Sequence, residues 1–256
     1  MLFGPGQILC GHRGSGRGVV EGQRENTLGS FRTAVEAGIP WVEVDSRATA
    51  DGVLVARHDP IAPDGRFVAE LTGAETDALG LMRVADLLED LPGDIGVDVD
   101  IKTAIEDALR PRERTTAALT AALVEPYAGS RPLLLSGFDA SSLLIVRERL
   151  PDMPVGLLTW ARFPLRKAIP AAVHLGAAVV APHATSFPVP GDGQALERPA
   201  SHSVEVAHRA GLEVLGWGGS HERAAELFAV GVDCVCVDDA PAAQRASRPK
   251  RSLRRW

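Results

Sequence analysis

Residues 10–14 read Cys-Gly-His-Arg-Gly, which sets His12 beside Arg13 between two glycines. A second histidine, His58, follows in Arg-His-Asp-Pro at 57–60. Two imidazoles can take and return a proton near neutral pH. An arginine presents a planar fork that suits a phosphate. Acids lie close by at strand spacing. Glu43 and Asp45 are two apart in Trp-Val-Glu-Val-Asp-Ser-Arg, and Asp98, Asp100 and Lys102 repeat that spacing in Ile-Gly-Val-Asp-Val-Asp-Ile-Lys. Side chains alternate along a strand, so each set shares one face. Charges on a buried strand need partners. Either Lys102 and an arginine pair with these acids, or the acids hold one divalent cation. Several carboxylate oxygens from neighbouring strands suit Mg²⁺ or Ca²⁺, with Mn²⁺ also admitted. A cation and Arg13 would neutralise phosphoryl oxygens while two histidines move protons, which describes phosphodiester chemistry. No Gly-x-Ser-x-Gly elbow competes with that reading.

These groups need a scaffold that gathers them. Short apolar, β-branched runs are expected as strands at 7–11, 41–47, 95–102, 133–136, 155–159, 177–181, 213–217 and 234–237. Helical patterns fall between them, near 27–37, 84–91, 114–125, 140–150, 165–175, 201–210 and 222–230. Strand–helix alternation implies right-handed parallel βαβ units. Eight such strands in 256 residues predict an α/β fold, a (β/α)₈ TIM barrel. An open doubly wound sheet would show fewer strands and a phosphate loop opening a helix. Residues 14–18 (Gly-Ser-Gly-Arg-Gly) only resemble such a loop and read as a flexible connection. His12, the acids and Lys102 then meet at the C-terminal ends of the first three strands, where barrel enzymes keep their sites. Two segments interrupt the alternation. Residues 51–59 look like a small hairpin inserted after strand two, turning at Asp51-Gly52. Residues 187–198, rich in Pro and Gly, read as a loop or lid over the site. Trp160 ends strand five and serves either as pocket wall or as packing.

The bulk properties agree with a single globular domain over 1–242. Hydrophobic residues make up 45% and charged residues 23%. No apolar run approaches the roughly 20 residues of a membrane span. The start, Met-Leu-Phe-Gly-Pro-Gly-Gln-Ile-Leu, lacks a basic region and a long apolar core, so a cytoplasmic protein is expected. Cys10, Cys234 and Cys236 read as reduced packing residues, although the Cys-Val-Cys pair raises the thought of a metal. Net charge is −6, yet the end of the chain is basic: Arg245, Arg248, Lys250, Arg251, Arg254 and Arg255 follow the last acid. Residues 243–256 are expected as a disordered basic tail that makes weak contact with anionic membrane. The body is acidic, so the expected partner is a small-molecule phosphodiester and not a nucleic acid. Nothing in the sequence sets an oligomeric state.

The residues also carry a resemblance. Gly-His-Arg-Gly followed by Glu-Asn-Thr (25–27), then Val-Glu-Val-Asp with His-Asp, then Asp-Val-Asp-Ile-Lys (98–102), resembles the glycerophosphodiester phosphodiesterase family. Weaker matches at 136–143, 208–217 and 231–239 extend it over nearly the whole chain. The resemblance implies a (β/α)₈ barrel that uses a divalent cation to hydrolyse glycerophosphodiesters to an alcohol and glycerol 3-phosphate. It implies that His12 and His58 are the acid–base pair and that Glu43, Asp45 and Asp100 bind the metal. Arg13 and Lys102 would hold the phosphate, and Trp217 would wall the substrate pocket. Glu25 and Asn26 would brace the rim, with Asn26 also a cap for the following helix.

Three departures from the family pattern bear on substrate. Asp100 stands where Glu is usual, which draws the carboxylate back and brings in Asp98 or water to complete the metal shell. Trp217 is followed by Gly218-Gly219-Ser220 where the family has Thr-Val-Asn. The segment after His58 is short, so any cap there is small. Two other readings stay open. One is a lysophospholipase D or phospholipase C-like enzyme on lipid phosphodiesters. The other is a barrel that binds phosphodiesters without turning them over.

Overall fold

The structure is a computed structural model that describes residues 1–188 and 198–247. Eight parallel strands form its frame: β1 (Ile8–Gly11), β2 (Trp41–Ala48), β3 (Gly96–Ile101), β4 (Leu133–Gly137), β5 (Val155–Thr159), β6 (Val179–Pro182), β7 (Glu213–Gly219) and β8 (Cys234–Val237). Each pairs with its neighbours in chain order. Strand β1 pairs with β8, Cys10 opposite Cys236, and also with β2, Cys10 opposite Trp41. The sheet is therefore a closed barrel, as the strand–helix alternation predicts. Around it run α1 (Leu28–Glu36), α2 (Gly73–Ala78), α3 (Val84–Asp90), α4 (Thr116–Val124), α5 (Ala140–Arg149), α6 (Leu165–Leu175), α7 (Ala200–Arg209), α8 (His221–Ala229) and α9 (Ala240–Ser247).

Alternation along the strands makes two cores. Val42, Val44, Val97, Val99, Leu135, Val180, Val214 and Val235 point outward and pack with the helices. Cys10, Trp41, Leu134, Leu158, Val179, Ala181, Leu215, Cys234 and Cys236 point inward and fill the barrel. The three thiols are buried and free. Phe3 meets the Trp41 indole edge-on, ring centroids 5.0 Å apart, and its N–H donates to Glu213 Oε2 at 3.0 Å. Gly96 is required beside Trp41, because a Cβ there would lie 2.2 Å from the indole.

Three expectations need correcting. Residues 14–18 are not a loose loop. Ser15 is buried, its N–H donates to Ser30 Oγ at 2.8 Å, and its carbonyl accepts from Ala240 at 2.8 Å. Gly16 presses so closely on β8 that a Cβ would lie 2.0 Å from the Asp238 carbonyl oxygen. Residues 243–247, expected in a disordered tail, continue α9; the rest of that tail lies outside the described residues. The helix after Asn26 is capped by Thr27, whose hydroxyl accepts from Ser30 N–H, and Asn26 turns inward instead. The hairpin turns at Asp51-Gly52 as expected, with Gly52 at φ 90, but its first arm is β2 itself, pairing antiparallel with Leu54–Ala56. Most of the expected lid at 187–198 lies outside the described residues. No helix among the described residues is long and apolar enough to cross a membrane.

Candidate active site

Every inward position at the C-terminal ends of β1, β2 and β3 is polar. In register, Glu43 faces Asp98 and Asp45 faces Asp100 across the β2–β3 pair. Oxygens of Glu43, Asp45 and Asp100 lie within 4.8 Å of one another, and all three residues are buried. Asp98 sits one inward position deeper, outside that cluster, so Asp100 reaches it despite its short side chain. Glu43 Oε1 and Asp100 Oδ1 have no hydrogen-bond partner. Unpartnered buried carboxylate oxygens are costly and are the donors a hard cation takes. The charge count points the same way. The four carboxyls Glu43, Asp45, Asp98 and Asp100 outnumber the three cations at this end of the barrel, Arg13, Arg47 and Lys102.

The cations are held by the acids. The Lys102 ammonium lies 2.9 Å from Asp45 Oδ1 and also donates to Asp100 Oδ2. Arg13 donates to Glu25 Oε1 at 2.8 Å and brings Nε to 3.2 Å from Asp45 Oδ2. Its backbone N–H donates to Glu43 Oε2 at 2.9 Å. Asn26 donates through Nδ2 to Asp45 Oδ2 at 2.8 Å. Arg13 and Asn26 both take left-handed backbone angles, φ 53 and φ 56, and Asn26 N–H donates to the Arg13 carbonyl at 3.0 Å. Such conformations cost energy and survive only where surrounding bonds dictate them. Glu25 and Asn26 thus brace Arg13 and Asp45.

The acids divide by environment. Burial, with Asp45 and Asp100 nearby, pushes Glu43 well above the usual carboxylate range. Burial also acts on Asp45, but Lys102 and Arg13 outweigh it and hold Asp45 down to about 2. Burial raises Asp98 to about 8. It raises Asp100 too, against the pull of Lys102.

Both expected histidines reach the same cavity, of about 370 Å³. His12 Nδ1 lies 2.5 Å from Asp238 Oδ1, and His58 Nδ1 lies 2.8 Å from Asp59 Oδ1. A carboxylate can only accept, so each Nδ1 carries the hydrogen and each neutral ring has a free Nε2. His12 Nε2 is 3.9 Å from Glu43 Oε2. Asp238 and Arg47 were not foreseen. Arg47 lines the cavity and donates from Nε and Nη2 to the His58 carbonyl at 2.9 and 2.5 Å, anchoring that loop. It extends the inward face of Glu43 and Asp45, so spacing alone could have found it. Asp238 directly follows the strand expected at 234–237, so its place at the rim was signalled, though not its contact with His12. On the far side Phe138, Trp160 and Trp217 line the cavity, with Leu158, Leu215 and Cys236 deeper. Trp217 Nε1 donates to the Ala181 carbonyl at 3.1 Å. Gly218, at φ 72, leaves room for the His183 imidazole, which a Cβ would approach to 2.5 Å. The Trp-Gly-Gly-Ser departure therefore buys space for a ring behind Trp217.

Comparison with known proteins follows the same lines. No curated protein matches the chain significantly. Among solved structures, a protein assigned as a glycerophosphoryl diester phosphodiesterase from Silicibacter pomeroyi is similar over 93% of this chain and 92% of its own, at 23% identity and TM-score 0.75. A protein assigned as a glycerophosphodiester phosphodiesterase from Galdieria sulphuraria is similar over 94% and 96%, at 22% identity and TM-score 0.76. An Oleispira antarctica phosphodiesterase, solved with its product sn-glycerol-3-phosphate, is similar over 93% and 96%, at 23% identity and TM-score 0.75. At these identities the likeness shows the fold. The model of the glycerophosphoryl diester phosphodiesterase family matches residues 12–242, a span that holds both histidines, the acidic cluster and Asp238, and the chain belongs to that family.

Proposed function

We propose that this enzyme hydrolyses glycerophosphodiesters to an alcohol and glycerol 3-phosphate, with a divalent cation and two-histidine acid–base catalysis. The observation that carries the reading is the meeting of His12 Nε2 with the Glu43–Asp45–Asp100 cluster, 3.9 Å from Glu43. Glu43, Asp45 and Asp100 would hold Mg²⁺, Ca²⁺ or Mn²⁺. Bound there, the cation would neutralise phosphoryl oxygen charge. Arg13 and Lys102, already fixed by Glu25, Asp45 and Asp100, orient the phosphate between the cluster and the histidines. His12 lies inward against the acids and is the base that takes the proton of the attacking hydroxyl, from water or the glycerol 2-hydroxyl. His58 lies at the more exposed mouth and is the acid. For this role His58 starts as the imidazolium, with hydrogen on both ring nitrogens, and the P–O bond to the leaving alcohol breaks as its Nε2 proton passes to that oxygen. Attack by the 2-hydroxyl gives a cyclic phosphate, which water then opens. Asp98, deeper and outside the cluster, is assigned no metal contact.

The test is the hydrolysis of glycerophosphodiesters by His12→Ala and His58→Ala. Each is expected to lose on the order of 10²- to 10⁴-fold in kcat. Near-parental turnover by both would end the two-histidine assignment.

One observation favours a second reading, action on acylated lipid phosphodiesters. Val19, Ile61, Phe67, Ile105, Leu109 and Trp160 are exposed on loops that follow the C-terminal ends of β1, β2, β3 and β5. An apolar rim of this kind suits an interface. Faster release of head group from lysophospholipid than from the deacylated diester would select it.

A further inference from the structure

The mouth of the barrel is divided by chemistry. Just beyond or at the ends of β8, β1, β2 and β3 stand Asp238, His12, Arg47 and Lys102. The matching places on β4, β5, β6 and β7 hold Phe138, Trp160, His183 and Trp217. The Phe138 and Trp160 rings stack, centroids 4.2 Å apart and 25° from parallel. Trp217 meets Phe138 at 87°, centroids 5.5 Å apart. The stacked pair and Trp217 are thus two aromatic walls at a right angle. His183 backs Trp217 at 4.5 Å and 87°, on the space that Gly218 leaves. One cation already lies against this corner: the Lys102 ammonium is 5.7 Å from the Phe138 centroid. Lys102 is itself tied to Asp45 and Asp100, on the charged side of the corner. Trp160 stays 66% exposed although it lines the cavity. Core packing does not account for an open indole stacked at a cavity mouth.

We propose that this corner is the subsite for the leaving alcohol and that it selects an alkylated ammonium alcohol, such as choline, over a neutral one. The proposal rests on the phosphodiesterase reading above. The phosphate binds at the charged half of the mouth, which leaves the aromatic half for one of the diester's two substituents, here assigned to the leaving alcohol. A quaternary ammonium matches both properties of that half. Its methyl groups lie against apolar ring faces, and its positive charge is drawn to the ring quadrupole, the use aromatic corners serve in recognising such groups. A neutral glycerol head gains only the first of these, and a primary ammonium retains its strong hydration.

The test uses the full-length, metal-loaded enzyme and its Trp160→Ala and Trp160→Phe variants. The kcat/KM values for glycerophosphocholine, glycerophosphoethanolamine and glycerophosphoglycerol are compared. Phosphocholine and phosphoethanolamine binding is measured separately by calorimetry, which needs no turnover. The wild type is expected to prefer choline over the neutral head by roughly 3- to 30-fold and to bind phosphocholine more tightly than phosphoethanolamine. Trp160→Ala is expected to lose both differences, and Trp160→Phe to keep most of them. Equal affinities in the wild type, or a choline preference that survives Trp160→Ala, would overturn the subsite. Absence of hydrolysis of all three diesters would instead overturn the catalytic reading, and calorimetry would still decide the corner.

Discussion

His12 works only if its ring is turned correctly, and Asp238 turns it. The 2.5 Å contact fixes the hydrogen on Nδ1 and leaves Nε2 for the substrate. Asp238→Ala is expected to lower kcat by roughly 10- to 100-fold with a smaller change in KM, as loss of an orienting carboxylate does. Steady-state kinetics would check this, and equal effects on kcat and KM would mark Asp238 as a substrate contact instead. Most of the site was legible from residue types and spacing. His12 with Arg13, Glu43 with Asp45, and Asp100 with Lys102 are local patterns that any strand reading brings together. Arg47 follows the same alternation. The pairing of Asp238 with His12 was not read from the sequence, because the two are 226 residues apart and are joined only where β8 closes on β1. Asn26 misled for a related reason. Its type fits a helix cap, but its side chain is claimed by Asp45 across the barrel end.

Strands that carry the site must be held at one height, and their packing does this. Gly96 opens β3 opposite Trp41 in β2, where the indole fills the space a side chain would need. Gly96→Ala is expected to destabilise the fold by about 1–3 kcal/mol through overpacking. A urea midpoint that falls while the slope stays constant would confirm it; an unchanged midpoint would show that the indole can move aside. Strand positions were legible because inward and outward faces are both buried, so each strand reads as a short apolar run broken only by site acids. Other elements were less so. Helix α2 rests on a Thr72–Glu75 capping box, a short signal that periodicity overlooks. The 14–18 segment looks mobile in sequence because it is glycine-rich. In the fold those glycines permit close approach to β8 and Ser30, and the segment fastens the first βα connection to the last strand.

At the scale of the whole molecule, four acids gathered inside a barrel make metal-free protein sensitive to pH. Asp98 is pushed up to about 8 by burial, whereas an unfolded aspartate titrates near ~3.9. Between those values the folded state binds more protons than the unfolded state, so rising pH removes stability. In chelated protein Asp98→Asn is expected to raise the urea midpoint at pH 8 and to change it little at pH 4; equal effects at both would contradict that. A cation in the Glu43–Asp45–Asp100 cluster should also stabilise the fold by mass action, by about 2.7 kcal/mol at a hundredfold excess over Kd. The most direct test of the account is release of glycerol 3-phosphate from glycerophosphodiesters by chelator-stripped protein, with Mg²⁺, Ca²⁺ or Mn²⁺ returned singly. The account predicts no release from the stripped protein, recovery with at least one of these ions, and no recovery in a Glu43→Gln, Asp100→Asn double variant. Full release from stripped protein, or full recovery in the double variant, would contradict it.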